Sequence, residues 1–408
     1  MKNLYIKATI IFILAFALSA GSSFALTTYL YSPESGGPLT PIATPGIGGG
    51  LNIDPSAPRT SECPLSGVMY TSAEKKVWEG RRPLFVMIEN MPEARPQSGL
   101  NSADIVYEAV AEGGVSRFGA IFYCGVSSAD TILGPVRSAR THFINLASEY
   151  NYPLYTHVGG ANCGSSDPKT CNTDKRVQAL EQINAYGWGG AKGNDLNQFS
   201  IGFPTFWRDY ERLGTTVATE HTMYTSTEKL WKYAAGTRSW TNLTPDGKSD
   251  WKDDYVPFTF KDDAKEKGSV SQISFGFWES YHQFDVVWNY DATQNLYLRE
   301  NGGAVHKDKD NDTQLSAKVV VVQFTKELGP LDEHKHMLYE VIGTGKGIVF
   351  QDGTATEATW SKKDREAKTI WTDAKGKKIS FNRGKIYFEI LPKDNTVTYW
   401  WIDSSSRL

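Results

Sequence analysis

The chain has 408 residues, with 43 Lys and Arg against 46 Asp and Glu, a formal charge of −3. That balance gives no electrostatic ground for nucleic-acid binding, which shows itself as a basic excess. A hydrophobic content of 40% with 22% charged residues excludes a disordered chain and leaves room for two or three folded units.

Lys2 and Lys7 precede an apolar run over residues 8–31. At about 1.5 Å per residue such a run is long enough to cross a bilayer as a helix. Basic residues on its N-terminal side direct the rest of the chain outward. Residues 1–31 therefore read as a signal anchor, with a cleaved signal peptide as the other reading, since Ser23-Phe24-Ala25 fits a small-x-small cleavage site. The expected location is the cell membrane, single-pass, with an extracytoplasmic body, or secretion after cleavage. No Cys follows the run closely, so no lipid-modified N-terminal Cys is expected. Residues 32–60, rich in Pro and Gly, read as a flexible stalk. The four cysteines, Cys63, Cys124, Cys163 and Cys171, suit disulfides in an exported chain. Cys163 and Cys171 flank the loop GSSDPKT and favour a short bridge, which leaves Cys63 for Cys124; three pairings are formally open.

Residues 61–235 mix periods. Strands are expected at 83–89 (PLFVMIE), 104–110 (DIVYEAV), 118–124 (FGAIFYC) and 152–157. Helices are expected at 138–150, at 174–185 ending near Gly187, and at 225–235, where Thr225 and Glu228 have capping-box spacing. This is an α/β unit with a mixed sheet. Residues 236–270 are polar and read as a surface excursion. From 271 to 402 the period becomes two, with strands expected from 272–277 through 397–402 and turns at Asp352-Gly353, Lys375-Gly376 and Arg383-Gly384. The fold class is α+β: an N-terminal α/β domain followed by a β-rich, mainly antiparallel C-terminal domain.

Residues 81–122 (RRPLFVMIENMPEARPQSGLNSADIVYEAVAEGGVSRFGAIF) and 132–150 (ILGPVRSARTHFINLASEY) resemble the YerB-like bacterial envelope proteins. So do residues 343–360 (GTGKGIVFQDGTATEATW) and 381–392 (FNRGKIYFEILP), which fall in that family's separate C-terminal domain. The resemblance implies two domains of unknown function and an envelope location. Many members are lipoproteins; here the lipobox Cys is missing, and a transmembrane anchor would replace lipidation.

Polar residues gather at the expected strand ends, where loops of α/β sheets converge on ligand crevices. The proposed ligand set is Arg95, Arg117, Arg137, Ser138, Arg140 and His157. Guanidinium groups suit a phosphate or carboxylate through paired hydrogen bonds, and a helix starting near Ser138 would add free N–H groups. The same residues also suit internal ion pairs. The layout is loosely similar to LytR-type wall-polymer transferases. For catalysis, His157 is the acid–base candidate and Glu89 with Glu112 a carboxylate pair, so an enzyme acting on peptidoglycan or a wall polymer, and a non-catalytic scaffold, stand beside a binding protein for an anionic envelope ligand. No cofactor, metal or nucleic-acid partner is expected. Asp308, Asp310 and Asp312 lack the Gly and Glu of a calcium loop, His334-x-His336 lacks further ligands and reads as an exposed loop, and Gly343-Thr344-Gly345-Lys346-Gly347 reads as a hairpin turn rather than a P-loop. The six Trp from Trp278 to Trp401 read mainly as core, with one of Trp400 and Trp401 exposed.

Overall fold

The run LFVMIE at Leu84–Glu89 (β1) is buried at every position, as a strand covered on both faces must be. It lies inside a ten-stranded sheet in a computed structural model that describes residues 54, 56–164 and 170–401. The expected anchor or signal peptide, and most of the expected stalk, lie outside the described residues. Among those that are described, no helix is long and apolar enough to cross a membrane.

The N-terminal half supplies β1, β2 (Ile105–Glu112), β3 (Val115–Phe122), β4 (Leu154–His157) and β5 (Asp195–Asn197). The C-terminal half supplies a smaller sheet from β6 (Val270–Phe275), β7 (Val286–Asp291) and β8 (Leu296–Asn301). It then returns to the large sheet with β9 (Val319–Thr325), β10 (Gly343–Gln351), β11 (Thr354–Lys362), β12 (Ile370–Asp373) and β13 (Ile386–Pro392), and ends in β14 (Thr398–Trp401). The large sheet runs β12-β11-β10-β9-β13-β2-β3-β1-β4-β5, mixed in direction, with the parallel pair β13·β2 joining the two halves. The smaller sheet, β8-β7-β6-β14, is antiparallel. The chain is α+β.

Two layers cover the middle of the large sheet. On one face lies α2 (Thr141–Ala147), the second helix after α1 (Ser72–Glu79); a Cβ on Gly119 of β3 would come within 2.7 Å of Phe143. On the other face lies the small sheet. Trp288 meets Tyr387 edge to face, with ring centres 4.9 Å apart, and donates to Glu389 at 3.0 Å. Arg299 reaches between the layers to Glu389 at 2.6 Å and to Glu108, and all three side chains are fully buried.

The two disulfides join Cys63 to Cys124 and Cys163 to Cys171. Several local expectations shift. Residues 138–140 are extended and the helix begins at Thr141, so there is no helix N-terminus at Ser138. The second expected helix splits into a 3₁₀ turn at Lys175–Val177 and α3 (Ala179–Ala185). After α4 (Gln198–Ile201), α5 covers Thr227–Arg238; Thr225 belongs to a strand, and the capping box forms instead at Thr71 and Glu74 ahead of α1. Residues 236–270 are not only a surface excursion. Trp240, Trp251 and Tyr255 are buried, and Trp251 donates to the Tyr123 hydroxyl at 3.2 Å. Residues 343–347 are strand, not turn; the turn of that hairpin is Asp352-Gly353. The glycines are there for close approach, because a Cβ at Gly345 or Gly347 would come within 2.6 Å of Trp360 or Trp371. Both Trp400 and Trp401 are exposed, at 58% and 63%, because β14 is an edge strand.

Candidate functional site

Simple alternation puts Glu108, Val110 and Glu112 of β2 on one face and Arg117 of β3 on the other. A bulge between Val110 and Glu112 breaks the alternation. It turns Glu112 onto the face of Arg117, the kind of re-aiming for which bulges are used. Glu112 then accepts from Arg117 Nη2 at 2.7 Å and from Arg140 Nε at 2.9 Å and Nη2 at 2.5 Å. Arg117 also donates to the Ser138 carbonyl at 3.0 Å, and Arg140 to the Ala139 carbonyl at 2.7 Å. Burial alone would raise the Glu112 carboxyl, but the two guanidinium groups outweigh it and hold the group well below the ordinary carboxylate range.

Its acidity has a measurable consequence. A carboxylate depressed in the folded state contributes stability that is whole above its unfolded value near 4.5 and is lost as pH falls. Glu112→Gln is expected to cost roughly 2–3 kcal/mol at pH 7 and to flatten the acid limb of the melting-temperature profile. An acid limb superimposable on that of the parent would contradict this.

Glu89, at the end of β1, accepts from His221 Nδ1 at 2.9 Å. Arg137 Nε stands 3.2 Å from its other oxygen, an ion-pair contact without hydrogen-bond alignment. That hydrogen bond and the nearby carboxylate raise the His221 imidazole against its burial. His157, fully buried, donates Nδ1 to the Gly159 carbonyl at 2.6 Å and meets Asp195 through Nε2 at 2.5 Å. Arg95 stands apart from this group. It donates to Asn90 at 3.0 and 2.8 Å and lines a different cleft, of about 400 Å³, with Gly302 and His306. The structure thus brings Arg117 and Arg140 together on one carboxylate and sets Arg137 on another. All three catalytic candidates, His157, Glu89 and Glu112, are engaged inside the fold.

Beside this cluster lies an open, polar cleft of about 410 Å³. Of the ligand set only Ser138 and Arg140 line it. Its wall is the segment after β4, from Gly160 to Gly164, together with Thr170, Asn172 and Thr173, braced by the Cys163–Cys171 bridge. It opens beyond the carboxyl end of β4, which pairs in parallel with β1 and β5, the place where α/β sheets take ligands. Among the described residues, the side-chain amides of Asn162 and Asn172 have no protein partner. The opposite wall comes from the C-terminal half: Glu333, His334 and His336. That loop docks on the end of β2 through Met337 N to Ala111 O at 3.1 Å and Gly113 N to Lys335 O at 3.0 Å. Sequence reasoning missed both walls, because they come from the two halves of the chain and no local pattern links them. Asp308, Asp310 and Asp312 meet protein donors: Gly99 and Asn101 backbone, Arg212, and Lys307.

Comparison with known proteins agrees with this layout. Residues 65–241 match the family described as protein of unknown function (DUF3048), N-terminal domain, and residues 273–388 match its C-terminal domain. The chain is 27% identical over 343 residues to "Putative lipoprotein YerB" of Bacillus subtilis (strain 168), covering 83% of this chain and 88% of that protein. The crystal structure of the Bacillus subtilis YerB protein superposes with a TM-score of 0.64 at 26% identity, over 83% of this chain and all of the other. The chain belongs to the YerB-like family. Both YerB-like domains contribute strands to the ten-stranded sheet and residues to the cleft.

Proposed function

We infer that this YerB-like chain is a membrane-tethered, extracytoplasmic binding protein that takes a polar, anion-bearing component of the cell envelope into the cleft between Ser138, Arg140, Asn162, Asn172 and the 333–336 loop. The observation that carries the reading is the cleft itself, polar, open, and beyond the carboxyl end of β4. The apolar N-terminal run, the disulfides and the lipoprotein name of the Bacillus subtilis relative support an envelope location. Hydroxyl and amide groups along one wall suit sugar hydroxyls or peptide amides, and Arg140 on the floor suits a negative group nearby.

A specific observation favours a second reading, a non-catalytic scaffold. Arg117, Arg137 and Arg140 each meet a carboxylate within the fold, so most of their charge is already spent. The two readings separate by calorimetric titration of the full-length chain with soluble peptidoglycan fragments and with a phosphate-bearing wall polymer. Ligand binding predicts saturable heat that weakens at least tenfold in the Asn162→Ala, Asn172→Ala double variant. No saturable heat with either titrant, or none of it lost in the variant, leaves the scaffold.

A further inference from the structure

We propose that His334 and His336, with Glu333, bind a divalent transition-metal ion of the Zn²⁺ type at the mouth of the cleft. The site stands on its own observations and does not depend on the ligand reading above. His336 is buried and held by one carboxylate. Asp332 accepts its backbone N–H at 3.2 Å and its Nδ1–H at 2.7 Å, and the Asp332 side chain is itself fully buried. That bond fixes the proton on Nδ1 and leaves the Nε2 lone pair free. Among the described residues Nε2 has no protein partner, and His336 lines the cleft. An imidazole oriented by a carboxylate behind it is the arrangement that metal-binding histidines use.

The second imidazole is close by. The His334 and His336 ring centres are 5.8 Å apart. Two imidazoles sharing a tetrahedral ion at metal–nitrogen distances of about 2 Å place their centres roughly 5 Å apart. His334 Nε2 is 3.9 Å from the Glu333 carboxylate, which supplies a third ligand, with water or a cleft ligand as the fourth. The trio is not preassembled. The His334 side chain is 68% exposed and that of Glu333 64%, so both turn toward His336 without disturbing the core. Arg140 also lines the cleft, and Glu112 offsets the charge of that arginine. Among the described residues, the trio whose ligand atoms already lie within 4.8 Å of one another is Cys63, Asp104 and Cys124, and its two sulfurs are spent in a disulfide.

The test is titration of the metal-stripped, full-length chain with Zn²⁺ by calorimetry and with Co²⁺ by visible absorption. One ion per chain is expected, with the intense visible bands of tetrahedral cobalt. His334→Ala and His336→Ala should each weaken binding at least tenfold, and Asp332→Asn about 10–100-fold. Should His336→Ala fail to fold, His334→Ala reads the site alone, because its side chain carries no packing. Absence of saturable uptake overturns the proposal, as does unchanged affinity in the His334 variant.

Discussion

Arg299→Ala is expected to destabilise the protein by about 3–5 kcal/mol, the usual effect of stripping one partner from a buried ion pair. Arg299 is the only cation in direct contact with Glu108 and Glu389 among the described residues, and water reaches none of the three. Without it two carboxyl groups remain buried between the sheets with no cation in contact among the described residues, on the β2 and β13 strands that join the two halves. The triple change Arg299→Met, Glu108→Gln, Glu389→Gln should recover most of the loss, since it removes the charges together. Burial and the neighbouring Glu108 outweigh Arg299 and hold Glu389 above the ordinary carboxylate range. The folded state therefore keeps a proton that the unfolded chain releases. The stability linked to Glu389 is present below its unfolded value near 4.5 and is lost as pH rises through the folded value. Glu389→Gln should flatten that decline. Urea denaturation across pH measures both effects, and a loss below about 1 kcal/mol in Arg299→Ala would contradict the first.

Removing the Cys63–Cys124 bridge should cost about 4 kcal/mol, because it closes a loop with a sequence separation of 61. The bridge ties the start of the described body to the end of β3. Asp104 sits against it, accepting from Tyr123 and Gly125 backbone and from Ser66, with its carboxyl pushed up to about 6 by burial. The Cys63→Ala, Cys124→Ala variant compared with its parent in urea gives the number. A midpoint that does not move would show that the bridge holds a segment already fixed by other contacts.

The strands of the large sheet were legible where every position is buried. PLFVMIE could be read because a strand covered on both faces carries a nearly continuous apolar run, DIVYEAV because apolar residues still dominate it around Glu108, and the C-terminal hairpins because their period is two. Helix α1 escaped notice; eight residues with two adjacent lysines give too short a stripe. The sharing of one sheet by the two halves was also hidden, since the pairing of β13 with β2 leaves no local mark. Glu89, Glu112 and His157 do end strands, whereas Arg117 lies within one, and the partners of all four were hidden. Glu112 meets Arg117 only because a bulge reverses the alternation, and a bulge is written in the pairing of two strands rather than in either one. Arg299 carried a faint signal: Tyr297, Arg299 and Asn301 share the buried face of β8, so the charge had to find a partner inside.

The cleft beyond β4 is proposed to receive an envelope component. Hydrogen–deuterium exchange of the full-length chain, with and without saturating wall polymer, tests it directly. Slowed exchange is expected at residues 160–164, 170–173 and 331–337 alone, the backbone of the two cleft walls. Protection elsewhere on the surface, or none at saturating polymer, would contradict it.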